Sequence, residues 1–176
     1  MADLVEMTVD SIRVHMPTGQ HVVILKEKTA DRYLPIWIGH PEAAAILMKL
    51  QGAATPRPMT HDLLSEMLEH LDATCEKVSV TELRDNTFYA SITISVNGSE
   101  LEIDSRPSDA IAVAVRVGAG IFVADEVLDK AGVLPEADKD GELTEADPES
   151  EERLAKIRDW VNTLNLPDLG TGASES

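Results

Sequence analysis

Two short segments join an arginine and a proline to a hydroxyl and an acid, the pattern of a helix start: Arg57-Pro58-Met59-Thr60-His61-Asp62 and Arg106-Pro107-Ser108-Asp109. A helix N-terminus presents unpaired N–H groups and a partial positive charge, so an arginine ahead of one suits a phosphate or a carboxylate. Arg57 and Arg106 are the candidates for clamping such an anion, with Thr60 and Ser108 beside them. A histidine such as His61 suits general acid or base work, because imidazole exchanges its proton near neutral pH. Asp62, Asp104 and Asp109 are candidates for orienting that histidine or for holding a divalent cation, Mg2+ or Mn2+, that activates water. Together they suit phosphodiester hydrolysis. The assignment is His61, Asp62 and Asp109 as catalytic, Arg57, Thr60, Arg106 and Ser108 as phosphate-binding, and Glu42 and Asp104 as metal ligands.

Each of these residues also has an ordinary structural explanation. Thr60 and Ser108 are good helix caps, Asp62 and Asp109 complement a helix dipole, and proline is common at a first turn. Arg106 with Asp104 or Asp109 could be a partly buried ion pair that holds a loop. His61 stands out because early helix positions usually face solvent and need no imidazole. Other reactive residues are less organised. His15, His21, His40 and His70 lack metal spacing, Cys75 has no evident base beside it, and no glycine-rich phosphate loop occurs. Phe88 and Tyr89 are a thin base-stacking platform in a chain with 3% aromatic residues.

The elements that carry these residues are legible from periodicity. Val5, Met7 and Val9 alternate in one phase and Ile12, Val14 and Met16 in the other, which predicts a strand with a bulge near Asp10-Ser11. Further strands are expected at His21 to Lys26 and Tyr33 to Ile38, the latter at an edge or a bulge because of Pro35. A helix follows from His40 to Leu50, and Thr60 caps a second whose stripe is Leu63, Leu64, Met67, Leu68 and Leu71. Strands return at Cys75 to Leu83 and Phe88 to Val96, and Asn97-Gly98 signals a hairpin into Leu101 to Asp104. The helix after Ser108 is apolar all round and should be central. Ile121 to Val123 and Asp125 to Ala131 close the fold with a short strand and a short helix.

Trp37-Ile38-Gly39-His40-Pro41-Glu42-Ala43 matches Ile103-Asp104-Ser105-Arg106-Pro107-Ser108-Asp109-Ala110 in character, and each follows three strands. A duplicated βββαα unit would relate two sheet halves by a pseudo-twofold and bring helix starts together near the middle.

Composition bounds the rest. The chain has 176 residues, 43% of them hydrophobic, enough for one core and one domain. A lone cysteine and an acidic start without a basic and apolar leader point to the cytoplasm. No apolar run approaches a membrane span. The formal net charge is −17, with 15 acids and 5 bases in residues 125–176 against 17 and 10 in residues 1–124. That balance argues against passive attraction to nucleic acid. The expected organisation is a domain over 4–131, an acidic linker over 132–152, an amphipathic helix over 153–166 marked by Leu154, Ile157, Val161 and Leu164, and a polar end over 167–176. That last helix is a candidate for docking back or for homo-oligomer formation.

Four segments in register carry a resemblance: Leu34-Pro35-Ile36-Trp37-Ile38-Gly39, Pro56-Arg57-Pro58-Met59-Thr60-His61-Asp62-Leu63, Asp85-Asn86-Thr87-Phe88-Tyr89-Ala90 and Asp104-Ser105-Arg106-Pro107-Ser108-Asp109-Ala110-Ile111-Ala112. Over residues 4 to 131 the chain resembles the bifunctional nuclease domain family. The resemblance implies an α+β fold with a mixed, barrel-like sheet and flanking helices. It also implies cleavage of both DNA and RNA without strong sequence preference. A non-catalytic module that binds an anionic ligand or partner is the competing expectation, and the charge favours it.

Overall fold

Alternating apolar residues build the sheet, and the structure, a computed structural model, describes residues 3–15 and 18–134. The chain order is β1 (Leu4–His15), β2 (Gln20–Glu27), β3 (Tyr33–Ile38), α1 (His40–Leu50), α2 (Thr60–His70), β4 (Ala73–Arg84), β5 (Thr87–Val96), β6 (Ser99–Ser105), α3 (Pro107–Val117), β7 (Gly120–Ala124) and α4 (Asp125–Ala131). The seven strands lie in the order β3-β2-β1-β7-β4-β5-β6. The fold is α+β with a mixed sheet: β4 and β7 are parallel, and every other pairing is antiparallel. The register of β1 on β2 shifts between Val9 and Ser11, the bulge that the change of phase predicts. The sheet does not close, so the barrel-like form implied by the resemblance is an open sheet with β3 and β6 as its edges.

Two antiparallel meanders, β1-β2-β3 and β4-β5-β6, flank β7. Because β1 runs antiparallel and β4 parallel to β7, the meanders run in opposite senses, as a pseudo-twofold through β7 requires. A helix follows each meander, α1 after β3 and α3 after β6. The second half then departs from the first by inserting β7 before α4.

One apolar row crosses the sheet from Met7 through Ile121, Val78 and Ile92 to Ile103. The helices pack on this face. In α3, Ala110, Ile111, Ala112, Val113 and Ala114 are all buried, and the helix packs against α1, α2, β4, β5 and β7. It is the central helix expected from its all-apolar run. α2 behaves differently: Leu63, Leu64, Met67 and Leu71 are exposed, and His61 is its one buried residue. Of the apolar stripe read from its periodicity, Leu68 alone is half-buried, so most of the stripe does not serve as the helix's contact with the core.

Val133 pairs with Tyr33 through two backbone hydrogen bonds, so the chain still lies on the edge of β3 beyond α4. The acidic stretch from residue 135, the helix expected at 153–166 and the end at 167–176 lie outside the described residues. Among the described residues, no helix is long and apolar enough to cross a membrane.

Candidate functional site

The first turns of α1, α2 and α3 are joined by one chain of polar and charged side chains. At the start of α3, Arg106 is the N-cap residue, and its Nε donates to Asp109 Oδ2 at 2.8 Å, one turn along the same helix. Its Nη2 donates to Glu42 Oε1 in the first turn of α1 at 2.7 Å. The other carboxylate oxygen of Asp109, Oδ1, lies 2.9 Å from His61 Nε2 in the first turn of α2. The sequence Glu42–Arg106–Asp109–His61 thus gathers three helix starts, each of which contributes a partial positive charge.

Burial grades along this chain. His61 is 6% exposed, whereas the Arg106 side chain is 67% exposed and that of Asp109 27%. The Arg106 guanidinium is held further toward its charged form, first by Asp109 and then by Glu42. Burial would push the Asp109 carboxyl up, but the hydrogen bonds from Arg106 and His61 outweigh it and hold the pKa below the usual carboxylate value. Glu42 can reach Arg106 because the preceding cap is Gly39. A Cβ there would collide with the Glu42 carboxylate.

The expected assignments need several corrections. His61 is not solvent-facing as an early helix position suggests, because the start of α2 lies against α3. Asp109, not Asp62, meets its ring. Asp62 turns the other way: one carboxylate oxygen accepts the Met59 N–H at 2.9 Å and the other accepts Arg116 Nε at 2.6 Å. The Met59 amide, followed by Arg116, holds its pKa below the ordinary value against the opposing effect of burial. Asp62 is accordingly a cap and an ion-pair partner, since Met59 is the N-cap residue and Thr60 the first helical one. Thr60 is exposed and makes no capping bond. Ser108 does not cap α3 either. It is buried in the first turn behind Arg106.

Arg57 is exposed and makes no hydrogen bond or ion pair among the described residues, and it shares no partner with Arg106. Asp104 is exposed on β6 in the row with Ser91, Ser79 and Phe122, on the sheet face away from the helices. Strand alternation therefore separates Asp104 from Glu42, the other expected metal ligand. Among the described residues, no three His, Cys, Asp or Glu side chains converge as a metal group. Glu42 and Asp109 already serve Arg106, so no step of the chemistry is assigned to a metal here.

Arg116 is a key residue that sequence reasoning missed. Its side chain is 4% exposed, and besides Asp62 it donates to Ala112 O in α3 and to Ala45 O in α1. A basic residue in the last turn of a helix reads as a dipole partner. Nothing in its spacing announces that three helices will enclose it.

Residues 23–136 match the family model for the bifunctional nuclease domain. An uncharacterized protein of Mycobacterium tuberculosis is 40% identical over 164 residues, 93% of this chain and 97% of that protein. Bifunctional nuclease 1 of Oryza sativa subsp. japonica and the bifunctional nuclease of Oryza minuta are each 29% identical over 116 residues, 64% of this chain and 35% of theirs. Arg57, His61, Asp62, Arg106 and Asp109 all fall within the matched region. The chain belongs to the bifunctional nuclease domain family.

Proposed function

We propose that the protein is a nuclease that hydrolyses phosphodiester bonds of DNA and RNA with little sequence preference. The observation that carries this reading is the bridging role of Asp109, which binds His61 with one oxygen and Arg106 with the other. With its proton on Nε2 and directed at Asp109, the His61 imidazole keeps an unprotonated Nδ1 to accept a proton from attacking water. Asp109 acts here as the orienting acid of a catalytic dyad. Arg106 stands at the exposed end of the chain, where its outward N–H groups are placed to receive a phosphate and to stabilise the charge that grows on it. The converging helix starts add to that attraction. Arg57, exposed and without a partner among the described residues, is suited to contacting a further phosphate of the same strand.

Cleavage of labelled single-stranded DNA and RNA, with and without EDTA, tests the reading. His61→Ala and Arg106→Ala should each lower cleavage by about a hundredfold, the scale of general base and oxyanion losses. Asp109→Asn should lower kcat with KM little changed. Undiminished cleavage by the His61 and Arg106 variants would refute it.

A second reading has support of its own. Two carboxylates neutralise Arg106, and the net charge is −17, which weighs against cleavage of a polyanion and suits a non-catalytic module that binds a partner protein. A ligand that raises the melting temperature without being consumed, in a protein devoid of cleavage, would select it.

A further inference from the structure

The two edges of the sheet are finished differently. On β3, Pro35 removes a donor, and Val133 occupies Tyr33 with two backbone bonds. Among the described residues, β6 carries no such guard: every residue from Ser99 to Asp104 is exposed, and Ser105 is half-buried. A free strand edge with unpaired N–H and C=O groups is a template for another strand.

The side chains of β6 alternate sharply. Leu101 and Ile103 lie on the helix-bearing face, where Ile103 ends the row through Ile92, Val78 and Ile121 to Met7. Burial fades along that row, from 2% exposure at Met7 and Val78 to 44% at Ile103, with Leu101 at 51%. The apolar layer continues past the helices that cover it. Glu100, Glu102 and Asp104 line the opposite face of the strand, and none has an ion-pair partner among the described residues.

We infer that the open edge of β6 is a docking site for an extended segment of a partner protein that alternates apolar and basic residues, added as an eighth strand to the seven-stranded sheet. Its main chain would pair with β6, its apolar side chains would extend the row beyond Leu101 and Ile103, and its lysines or arginines would oppose the three acids. A second copy of the chain is a poor occupant. Antiparallel self-pairing centred on Glu102 sets Glu102 against its own copy and Glu100 against Asp104, and both copies carry a net charge of −17. The docked segment would run up to Arg106, the residue that follows β6 and opens the candidate site.

The probe is a capped synthetic peptide of the length of β6 that alternates lysine with valine. It is titrated against the full chain and followed by NMR shifts and amide hydrogen exchange. Amides of Ser99 to Ser105 are expected to gain protection. Reversing Glu100, Glu102 and Asp104 to lysine should weaken this peptide by about tenfold and favour a glutamate–valine peptide instead. Absence of binding would overturn the inference. So would protection confined to other elements, or equal binding of a peptide of the same composition with its lysines grouped at one end. Concentration-dependent protection of β6 without peptide would assign the edge to a second copy and overturn it as well.

Discussion

Replacing Arg116 by methionine is expected to destabilise the protein by about 2 kcal/mol and to loosen α2 before the rest of the fold. The magnitude follows from what each donor leaves behind. Ala112 O and Ala45 O lie inside α3 and α1, where helical amides bond them already, so losing Arg116 orphans neither. Asp62 does lose a charged partner at 2.6 Å, yet it keeps the Met59 N–H and its side chain is 30% exposed. The loss is therefore close to that of one charge-assisted hydrogen bond, about 1.5–3 kcal/mol. A fully buried pair would cost about 3–5 kcal/mol on losing one partner. Urea titration should show a lower midpoint at unchanged slope. Because His61 is the one buried residue of α2, little else anchors that helix, and its amides should lose exchange protection more than those of α3. A destabilisation below about 0.5 kcal/mol would refute the reasoning. Equal costs of Asp62→Asn in wild type and in Arg116→Met would do so too, since contacting residues must couple.

Other outcomes follow from the same contacts. Glu42→Gln removes one of the two carboxylates on Arg106, and inorganic phosphate, followed by NMR titration, should bind about threefold more tightly. Gly39→Ala should produce a similar gain without touching either charged residue, because its Cβ displaces the Glu42 carboxylate; unchanged phosphate binding would show that Glu42 does not compete. Asp62 and Asp109 are both held below their ordinary pKa in the folded state, so the unfolded chain binds protons first. Their contribution is complete above the unfolded value of about 3.9 and is lost as pH falls through the folded values. Urea midpoints should drop on acidification, and Asp62→Asn should flatten that drop. Ile111→Ala, which empties a fully buried position in the central helix, should cost about 2–5 kcal/mol by urea titration.

The elements were readable because their signals are local. A break in alternation located the bulge between Val9 and Ser11, Pro35 called for an edge or a bulge and β3 is an edge, and the bounds read for β3, α1 and α4 are those observed. Cap positions were misread at Thr60 and Ser108, since a helix start shifted by a residue or two leaves the same periodicity. The exposure of the α2 stripe was not readable, because periodicity identifies an apolar face without saying what covers it.

For the site, residue types along the chain settled which groups are available: an imidazole, acids and arginines at helix starts, with Arg106 and Asp109 close enough to meet within one turn. The family was readable too, from four motifs in register. Which groups meet across the fold was not. The contact of His61 with Asp109 spans 48 residues and that of Arg106 with Glu42 spans 64. Arg116 reaches Asp62 across 54 residues and Ala45 across 71. These pairings depend on how α1 and α2 pack on α3, and packing angles come from the summed burial of many side chains and leave no mark at any one position. Burial then divided residues of one type: Arg116 became an internal strut and Arg106 an exposed hand, while Asp109 rather than Asp62 took the histidine.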